Sequence, residues 1–213
     1  MYRIMSKKIN AVFLTLFVLL LAPAGAAATT LSPGEVIKDT AAKMIVAIEA
    51  EKEALELDPL HVYELVNRIM MPHFDLPLMA KRVLGKHWRR AEVQQRKDFT
   101  VAFKKLLVRA YAKSLVNYSE LDIRYLPVRK KANAKAVEVR SEVTRPGETA
   151  LNVVYRLRLK DTKNSTAWKV YDISIDGVSL VLNYKSTFSK EISKGGLPLL
   201  IEKISKTGKG NES

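Results

Sequence analysis

Two kinds of hydrophobic periodicity divide the chain after its first 30 residues. Up to about residue 118, apolar side chains recur at three- and four-residue steps, which predicts helices. After Leu121, and most clearly from Val137, apolar and charged residues alternate, which predicts antiparallel strands with one wet and one dry face. Helices followed by a meandering antiparallel sheet indicate a single α+β domain. The dry face needs a cover, and the helices that precede it are expected to supply one.

Capping residues and prolines in the first turn predict where the N-terminal helices begin. Ser32 is expected to cap the first helix, with Pro33 in its first turn and Glu35 completing a capping box. Asp58-Pro59 repeats the signal for a second helix, predicted to stop at Pro72. A third helix is predicted between a cap at Asp75 and a glycine stop at Gly85.

The longest predicted helix runs from about Glu92 to Tyr118 and is amphipathic. Its apolar stripe contains Phe99, Phe103, Leu106, Leu107, Ala110, Tyr111, Leu115 and Tyr118. Such a stripe is most often part of a packed core, and the long helix is the natural cover for the sheet.

The second half of the chain predicts four strands and a returning helix. The predicted strands are Ile123–Val128, Val137–Val143, Leu151–Lys160 and Trp168–Ile175, with turns over 145–148 and 161–165. The fourth strand is expected to bend at Gly177 and continue through Val178–Leu182. A helix is predicted from about Phe188, with an interruption at Gly195-Gly196 and a second half over Leu197–Ile204.

The N-terminal 28 residues have the layout of a secretory signal peptide. Three cations precede an apolar run from Ile9 to Leu21, and small residues with an A-x-A pattern follow. The run is shorter than the roughly 20 apolar residues of a membrane span. The alternative is an uncleaved N-terminal anchor. Residues 29–205 are predicted to form one domain, and 206–213 a disordered tail.

Composition narrows the classes of function. The chain has no cysteine, which excludes disulfides, thiol catalysis and cysteine metal sites. Its formal net charge is +14, or +11 without Arg3, Lys7 and Lys8. In an exported protein this charge favours anionic lipid surfaces and phosphate headgroups as partners. The alternative is that the charge only keeps the protein in solution.

Candidate catalytic groups are sparse. His61, His73 and His87 do not have the spacing of a helical zinc site. An acid/base pair of Asp172 and Asp176 is conceivable, but an aspartate beside Gly177 more often serves a turn. The aromatic residues fall on apolar faces rather than among exposed cations, which disfavours nucleic-acid binding.

A set of short motifs resembles the MlaC family, also called the toluene-tolerance family, over nearly the whole mature chain. The matching residues are Pro72-His73-Phe74-Asp75, Met79-Ala80, Val83-Leu84-Gly85, Trp88, Gln95-Arg96, Phe99, Phe103, Tyr111-Ala112, Trp168-Lys169-Val170-Tyr171-Asp172, Gly177-Val178-Ser179-Leu180, Asn183-Tyr184, Phe188, Gly195-Gly196-Leu197 and Leu200-Ile201. One departure is visible at the start of the long helix, where the family often has Ser or Thr and this chain has Glu92. A poorer cap there is expected to cost about 1 kcal/mol.

The resemblance implies a soluble periplasmic phospholipid carrier without enzymatic activity. Such a carrier would move lipid between an outer-membrane lipoprotein complex and an inner-membrane ABC transporter with its lipid-binding, substrate-receiving subunit, and so maintain outer-membrane lipid asymmetry. The resemblance also implies an apolar cavity between helices and sheet. The only bound molecule would be the phospholipid cargo, with no other cofactor, no metal and no nucleic acid.

The acyl-chain site is predicted between the long helix and the dry face of the sheet. The candidate lining residues are Met79, Val83, Phe103, Leu107, Tyr111, Val139, Val153, Tyr155, Leu157 and Ile173. Periodicity alone does not separate a packed core from a lipid-filled one. Two alternatives therefore remain at this point: a small-molecule enzyme on a cone-shaped sheet, and an envelope module that binds anionic membranes by charge and has no cavity.

Overall fold

Helices and a sheet follow one another in the order that the periodicity predicts. The computed structural model describes residues 31–112, 121–129, 133–144, 147, 149–161 and 166–206. The predicted signal peptide, residues 207–213 and most of both predicted turns lie outside these ranges, as do Leu115 and Tyr118. The helices are α1 (Pro33–Ala50), α2 (Lys52–Leu57), α3 (Val62–Leu65), α4 (Leu76–Leu84), α5 (Lys86–Arg90), α6 (Val93–Tyr111) and α7 (Leu180–Lys206).

The sheet is a five-stranded antiparallel meander. Its strands are β1 (Asp122–Tyr125), β2 (Ala136–Thr144), β3 (Leu151–Asp161), β4 (Thr166–Ile175) and β5 (Val178–Ser179). Each strand pairs with the next along the chain, in the order β1-β2-β3-β4-β5. The register shifts once, between Arg156 and Leu157. The α+β class and the meander are therefore confirmed.

The predicted helix starts are confirmed at two positions and corrected at a third. Ser32 and Glu35 form the capping box of α1, and the Asp75 side chain accepts from the backbone of Leu78 at the start of α4. At α6 the expectation of a poorer cap needs one correction, because the Gln95 side chain, rather than a cap from the Glu92 side chain, closes the start of the helix. The Gln95 side chain accepts from the Glu92 N–H at 3.0 Å.

The segment predicted as one helix from Asp58 to Pro72 is more irregular than expected. A 3₁₀ turn at Pro59–His61 leads into α3, which continues as a π-type turn over Val66–Met70 and a 3₁₀ turn over Met71–His73. A π-type turn takes one more residue than an α turn, so it shifts the helical spacing of the apolar side chains.

The prediction that strand continues to Leu182 is wrong. Strand β5 ends at Ser179, and α7 begins at Leu180, eight residues before the predicted helix start. Ser179 Oγ accepts from the Leu182 N–H at 3.1 Å, which satisfies a free donor of the first helical turn. This cap outweighs the strand preference of Val181. The predicted interruption of α7 is confirmed at Gly196, whose φ of 78° is strained for residues with a Cβ. Lys206, placed in the tail by prediction, is the last residue of the helix.

Helices α4, α6 and α7 share one buried cluster, here called the helical cluster. Its buried members include Met79, Val83, Phe99, Phe103, Leu107, Val181 and Phe188. Phe99 and Phe103 stack with ring centroids 5.7 Å apart, and Phe188 meets Phe99 edge-on at 5.9 Å. These are favourable aromatic geometries. The predicted stripe of α6 is thus core from Phe99 to Leu107 and packs there against α4 and α7, whereas Ala110 and Tyr111 are exposed.

Helix α1 joins two further clusters. Its second half, with Met44 and Ile48, packs against α3 and the C-terminal half of α6. Its first half, with Val36 and Ile37, packs on the sheet. Here α1 approaches closely, because a Cβ at Gly34 would lie 3.2 Å from the side chain of Val128. The sheet is therefore covered at this point by the first helix rather than by the long one.

Candidate functional site

The strand register places one set of side chains on a common, largely apolar surface, here called the dry face. Its members are Ile123, Tyr125, Val137, Val139, Ser141, Val143, Leu151, Val153, Tyr155, Leu157, Leu159, Trp168, Val170, Ile173 and Ile175. Neighbouring residues of each strand point to the other side, here called the wet face, which carries mostly charged and polar groups.

Helix α1 packs against one end of the dry face and closes it. There Val137, Val139, Leu157, Trp168 and Val170 are buried together with two side chains of the helix. At the other end, Leu151 and Ile175 each keep 42% of their surface exposed. Between the two ends, Tyr155 and Ile173 are half-buried. The dry face therefore forms an apolar recess that α1 covers at one end and that is open at the other.

Three hydroxyl groups interrupt this apolar surface. The register aligns Tyr125 of β1 with Ser141 of β2, and Tyr155 of β3 lies one row along the sheet. Burial raises the pKa of Tyr125 to about 12, with a contribution from the nearby Tyr155. Burial also raises the pKa of Tyr155, although the neighbouring Ser141 hydroxyl acts in the opposite direction. All three groups are thus neutral hydrogen-bond donors at physiological pH.

Ser141 is the unusual member of this group. Its side chain is 2% exposed, and its Oγ has no hydrogen-bond partner among the residues that the structure describes. A buried polar group without a partner costs about 1–3 kcal/mol. Such groups are rare in folded proteins and call for an explanation.

A cation stands beside the recess. The exposed Lys38 of α1 places its Nζ 5.4 Å from the centroid of the Tyr125 ring. The same edge of the recess therefore combines an apolar wall, a hydroxyl and a positive charge. This combination suits a ligand that is apolar at one end and anionic at the other.

The structure divides the ten predicted lining residues between two regions. Val139, Val153, Tyr155, Leu157 and Ile173 lie on the dry face. Met79, Val83, Phe103 and Leu107 are buried in the helical cluster. Tyr111 is 40% exposed near the end of α6. The dry-face residues are brought together on one surface, whereas Met79, Val83, Phe103 and Leu107 pack between helices.

The sequence interpretation missed three parts of the recess: the first half of α1, Lys38 and Ser141. A signal existed only for Ser141, which stands between Val139 and Val143 at the alternating apolar positions of β2. No local pattern shows which helix will lie against a sheet, so the contribution of α1 was not predictable in this way.

A half-open cavity of about 720 Å³ has a more polar lining than the recess. It is lined in part by Arg129, Glu138, Arg140 and Tyr171. Glu138 and Arg140 form an ion pair at 2.9 Å. Covering these charges with hydrocarbon would remove their water and cost free energy. The recess on the dry face is therefore the better site for an apolar ligand.

The wet face ties strands and helices together by charge. Arg156 donates to Glu138 at 3.2 Å, to Asp172 at 2.9 Å and to Ser174 at 2.8 Å. Asp172 also accepts from Ser179 and from the backbone of Val181, so it holds the start of α7 against β4. This set of contacts gives Asp172 a structural role.

The other half of the conceivable acid/base pair is also engaged structurally. Asp176 accepts from the backbone of Asn152 at 2.8 Å in the turn after β4. Across the described ranges, no three histidine or carboxylate side chains group closely enough to hold a metal ion. Nor does any helix of these ranges have both the length and the apolar character needed to cross a bilayer.

Comparison with known proteins assigns the chain to a family. The family model for the MlaC protein matches residues 38–206. The chain belongs to the MlaC family. This match extends from the first turns of α1 to the end of α7, so it includes both the recess and the helical cluster.

Individual MlaC relatives agree with this assignment. The chain is 26% identical over 173 residues to the intermembrane phospholipid transport system binding protein MlaC of Haemophilus influenzae, covering 81% of this chain and 80% of the relative. It is 25% identical over 166 residues to a toluene tolerance protein of Pseudomonas putida, covering 78% and 75%.

The fold is shared with a solved structure. That structure is a phospholipid-binding protein of Ralstonia solanacearum in complex with a phospholipid. It matches this MlaC family member with a TM-score of 0.73 and 29% sequence identity, over 83% of this chain and 96% of the other. The arrangement of helices on a five-stranded meander is therefore that of the phospholipid-binding relative.

Proposed function

We propose that this MlaC family member binds phospholipid, with the acyl chains lying on the dry face of the sheet beside α1. The observation that carries the proposal is the apolar recess, in which Val153, Tyr155 and Ile173 continue the apolar surface from the end closed by α1 to the exposed Leu151 and Ile175. A relative of the same fold, solved with a phospholipid, supports it.

The energetics of lipid transfer explain why a recess of this kind is needed. Each CH₂ group of an acyl chain costs about 0.8 kcal/mol when it enters water. A diacyl lipid therefore leaves a membrane at a useful rate only if another dry surface receives its chains. A surface that is only partly closed can take up and release chains without first unfolding.

The proposed role is transport by a periplasmic binding protein, not catalysis. The cargo would pass between an outer-membrane lipoprotein complex and an inner-membrane ABC transporter with its lipid-binding, substrate-receiving subunit, which maintains outer-membrane lipid asymmetry. Support comes from the signal-peptide layout of residues 1–28 and from the name of the Haemophilus relative. The engagement of Asp172 and Asp176 in structural hydrogen bonds agrees with a binding role.

Native mass spectrometry of the exported protein tests the proposal. The full-length chain is expressed with its own N-terminus and purified from the periplasmic fraction, where N-terminal sequencing should find a start close to residue 28. The expected spectrum contains the mature mass plus the mass of a diacyl phospholipid. A folded protein without lipid would contradict the binding role, and recovery of intact chain in membranes would contradict the periplasmic location.

A matched pair of variants tests on which face of the sheet the acyl chains bind. Val153 lies on the dry face and the adjacent Val154 on the wet face. Val153→Trp should fill the recess and reduce bound phospholipid at least about fivefold, because the indole takes the space of the acyl chains. Val154→Trp adds the same ring to the other side and should leave the bound fraction unchanged. Equal loss in both folded variants would mean that the chains do not lie on the dry face.

A further inference from the structure

Ser141 has no role in the fold that its surroundings explain. It lies on the dry face between Tyr125 and Val153 in the strand register. Its hydroxyl is buried and without a hydrogen-bond partner in the described part of the chain. A valine or alanine at this position would continue the apolar wall without leaving a polar group unpaired.

The neighbouring hydroxyl group, that of Tyr155, does not satisfy the hydrogen-bonding capacity of Ser141. The Ser141 hydroxyl interacts with that of Tyr155 and acts to lower the pKa of Tyr155, but the geometry of the two groups falls short of a full hydrogen bond. Both are donors that point into a surface otherwise made of Val139, Val153 and Ile173. A single acceptor atom placed between the two hydroxyls would satisfy both of them.

The cargo of the recess supplies such an acceptor. A diacyl phospholipid carries a strong acceptor, the ester carbonyl oxygen, at the head of each acyl chain. The chain below the ester is apolar, and the phosphate above it is anionic. The recess shows the same order, with an apolar wall, the paired hydroxyls, and the ammonium group of Lys38 beside Tyr125.

We infer that the hydroxyls of Ser141 and Tyr155 form an ester-binding subsite, which donates hydrogen bonds to an acyl ester carbonyl and so makes the protein selective for ester-linked lipids. This inference rests on the proposed phospholipid binding and adds a specificity that an apolar recess alone would not have. An ether-linked lipid of the same chain length has no carbonyl group, so it would leave both hydroxyls unpaired.

Competition between two lipids tests the subsite directly. The purified protein, stripped of cargo, is incubated with vesicles that contain equal amounts of a diacyl phosphatidylglycerol and its dialkyl ether analogue with the same chain length. Bound lipids are then extracted from the reisolated protein and quantified by mass spectrometry. The wild type should favour the ester lipid by roughly threefold to tenfold, the effect of one net hydrogen bond or slightly more.

The variants isolate the two hydroxyls. Ser141→Ala and Tyr155→Phe should each bring the ester-to-ether ratio toward unity, and this ratio, not the total amount of bound lipid, is the readout. Ser141→Thr retains a hydroxyl and should retain the preference. The matched controls are Ser174→Ala on the wet face and Tyr171→Phe, whose ring packs against the helical cluster and lies 4.3 Å from the Arg82 guanidinium. Both remove a hydroxyl from outside the recess and should keep the wild-type ratio.

Thermal unfolding of the lipid-free variants separates a binding role from a structural one. Because the Ser141 hydroxyl has no partner to lose, Ser141→Ala should unfold at the same temperature as the wild type or above it. A lowered unfolding temperature with an unchanged lipid ratio would overturn the subsite and make Ser141 structural. A wild-type ratio of one would also overturn it. Failure to bind either lipid would instead overturn the proposed function itself.

Discussion

Asp75 caps a helix and also joins that helix to the sheet. It is 1% exposed, caps α4, and accepts from Arg158 at 2.5 Å and from Lys160 at 3.0 Å. Its backbone N–H donates to the carbonyl of Val170 at 2.8 Å, beside the bridge between Phe74 and the same strand. A single aspartate thus joins the start of a helix to β3 and β4.

The charge of Asp75 makes a specific stability prediction. Burial opposes its ionisation, but hydrogen bonds from Lys160 and Arg158 outweigh burial and hold the pKa of Asp75 below its usual value. Asp75→Asn keeps a capping side chain and removes the charge. It should lower the free energy of unfolding at pH 7 by roughly 1–3 kcal/mol, since the two cations are partly exposed.

The pH dependence has a definite sign. A carboxylate whose pKa is depressed by folding stabilises the protein above its unfolded pKa of about 3.9, and this contribution is lost as pH falls through the folded value. The difference between wild type and Asp75→Asn, measured by urea unfolding, should therefore be constant from pH 7 to pH 5 and shrink below pH 4. A difference that grows on acidification would contradict the assignment.

At the residue scale, the sequence predicted only interactions between residues that lie close together along the chain. The cap at Asp75 was predictable because its signal lies within four residues. Its ion pairs were not, because the partners are 83 and 85 positions away along the chain. Ser141 could be placed on the dry face by alternation, but its lack of a partner depends on neighbours from two other strands.

At the scale of elements, the start of α7 is the most informative correction. Ser179 accepts from Leu182 at 3.1 Å and donates to Asp172 at 2.7 Å, so it fixes both the helix and its attachment to β4. Ser179→Ala should lower the free energy of unfolding by about 1–2 kcal/mol, because a helix cap and a buried hydrogen bond are both lost.

An exposed serine in the same helix provides the control for this prediction. Ser193 donates only to the backbone carbonyl of Ser189, one turn earlier. Ser193→Ala should change the free energy of unfolding by less than about 0.5 kcal/mol. Chemical denaturation of both variants checks the pair, and equal effects would mean that Ser179 does not act as a cap.

The predicted bounds of helices and strands were accurate where the hydrophobic periodicity and the capping or turn residues indicated the same ends. Strands β2 and β3 follow strict alternation, and β4 departs from it once, where the register shifts between Val170 and Asp172. Helix α4 lies between the cap and the glycine stop that the sequence predicts. Periodicity identified the buried stripe of α6 but not its partners. The stripe packs on α4 and α7, whereas α1 lies on the dry face, and this choice depends on topology rather than on any single segment.

At the scale of the whole molecule, charge and apolar burial have separable effects. The formal net charge is +14 for the full chain. Attraction of an exposed positive surface to an anionic membrane should weaken with salt, because the screening length falls to about 8 Å at 0.15 M. Burial of acyl chains in the recess does not depend on long-range charge and should change little.

A salt titration therefore distinguishes docking from retention. Association with anionic vesicles, measured by cosedimentation, should fall steeply between about 0.02 and 0.5 M salt. The amount of phospholipid retained by the protein over the same range should stay nearly constant. Parallel loss of both would show that headgroup electrostatics, not the apolar recess, holds the cargo.

The division of the interior into separate clusters matters for a protein that must work through cycles of filling and emptying. The stacked rings of Phe99 and Phe103, with Phe188 against them, are buried among helices and do not belong to the recess. Phe74 packs against this cluster, against the sheet and against the cluster around Met44, so the three regions meet at one side chain. In the proposed role, delivery of a lipid would remove hydrocarbon from the recess and leave the aromatic side chains of the helical cluster packed. We therefore expect the lipid-free protein to keep its fold and to remain able to bind another phospholipid.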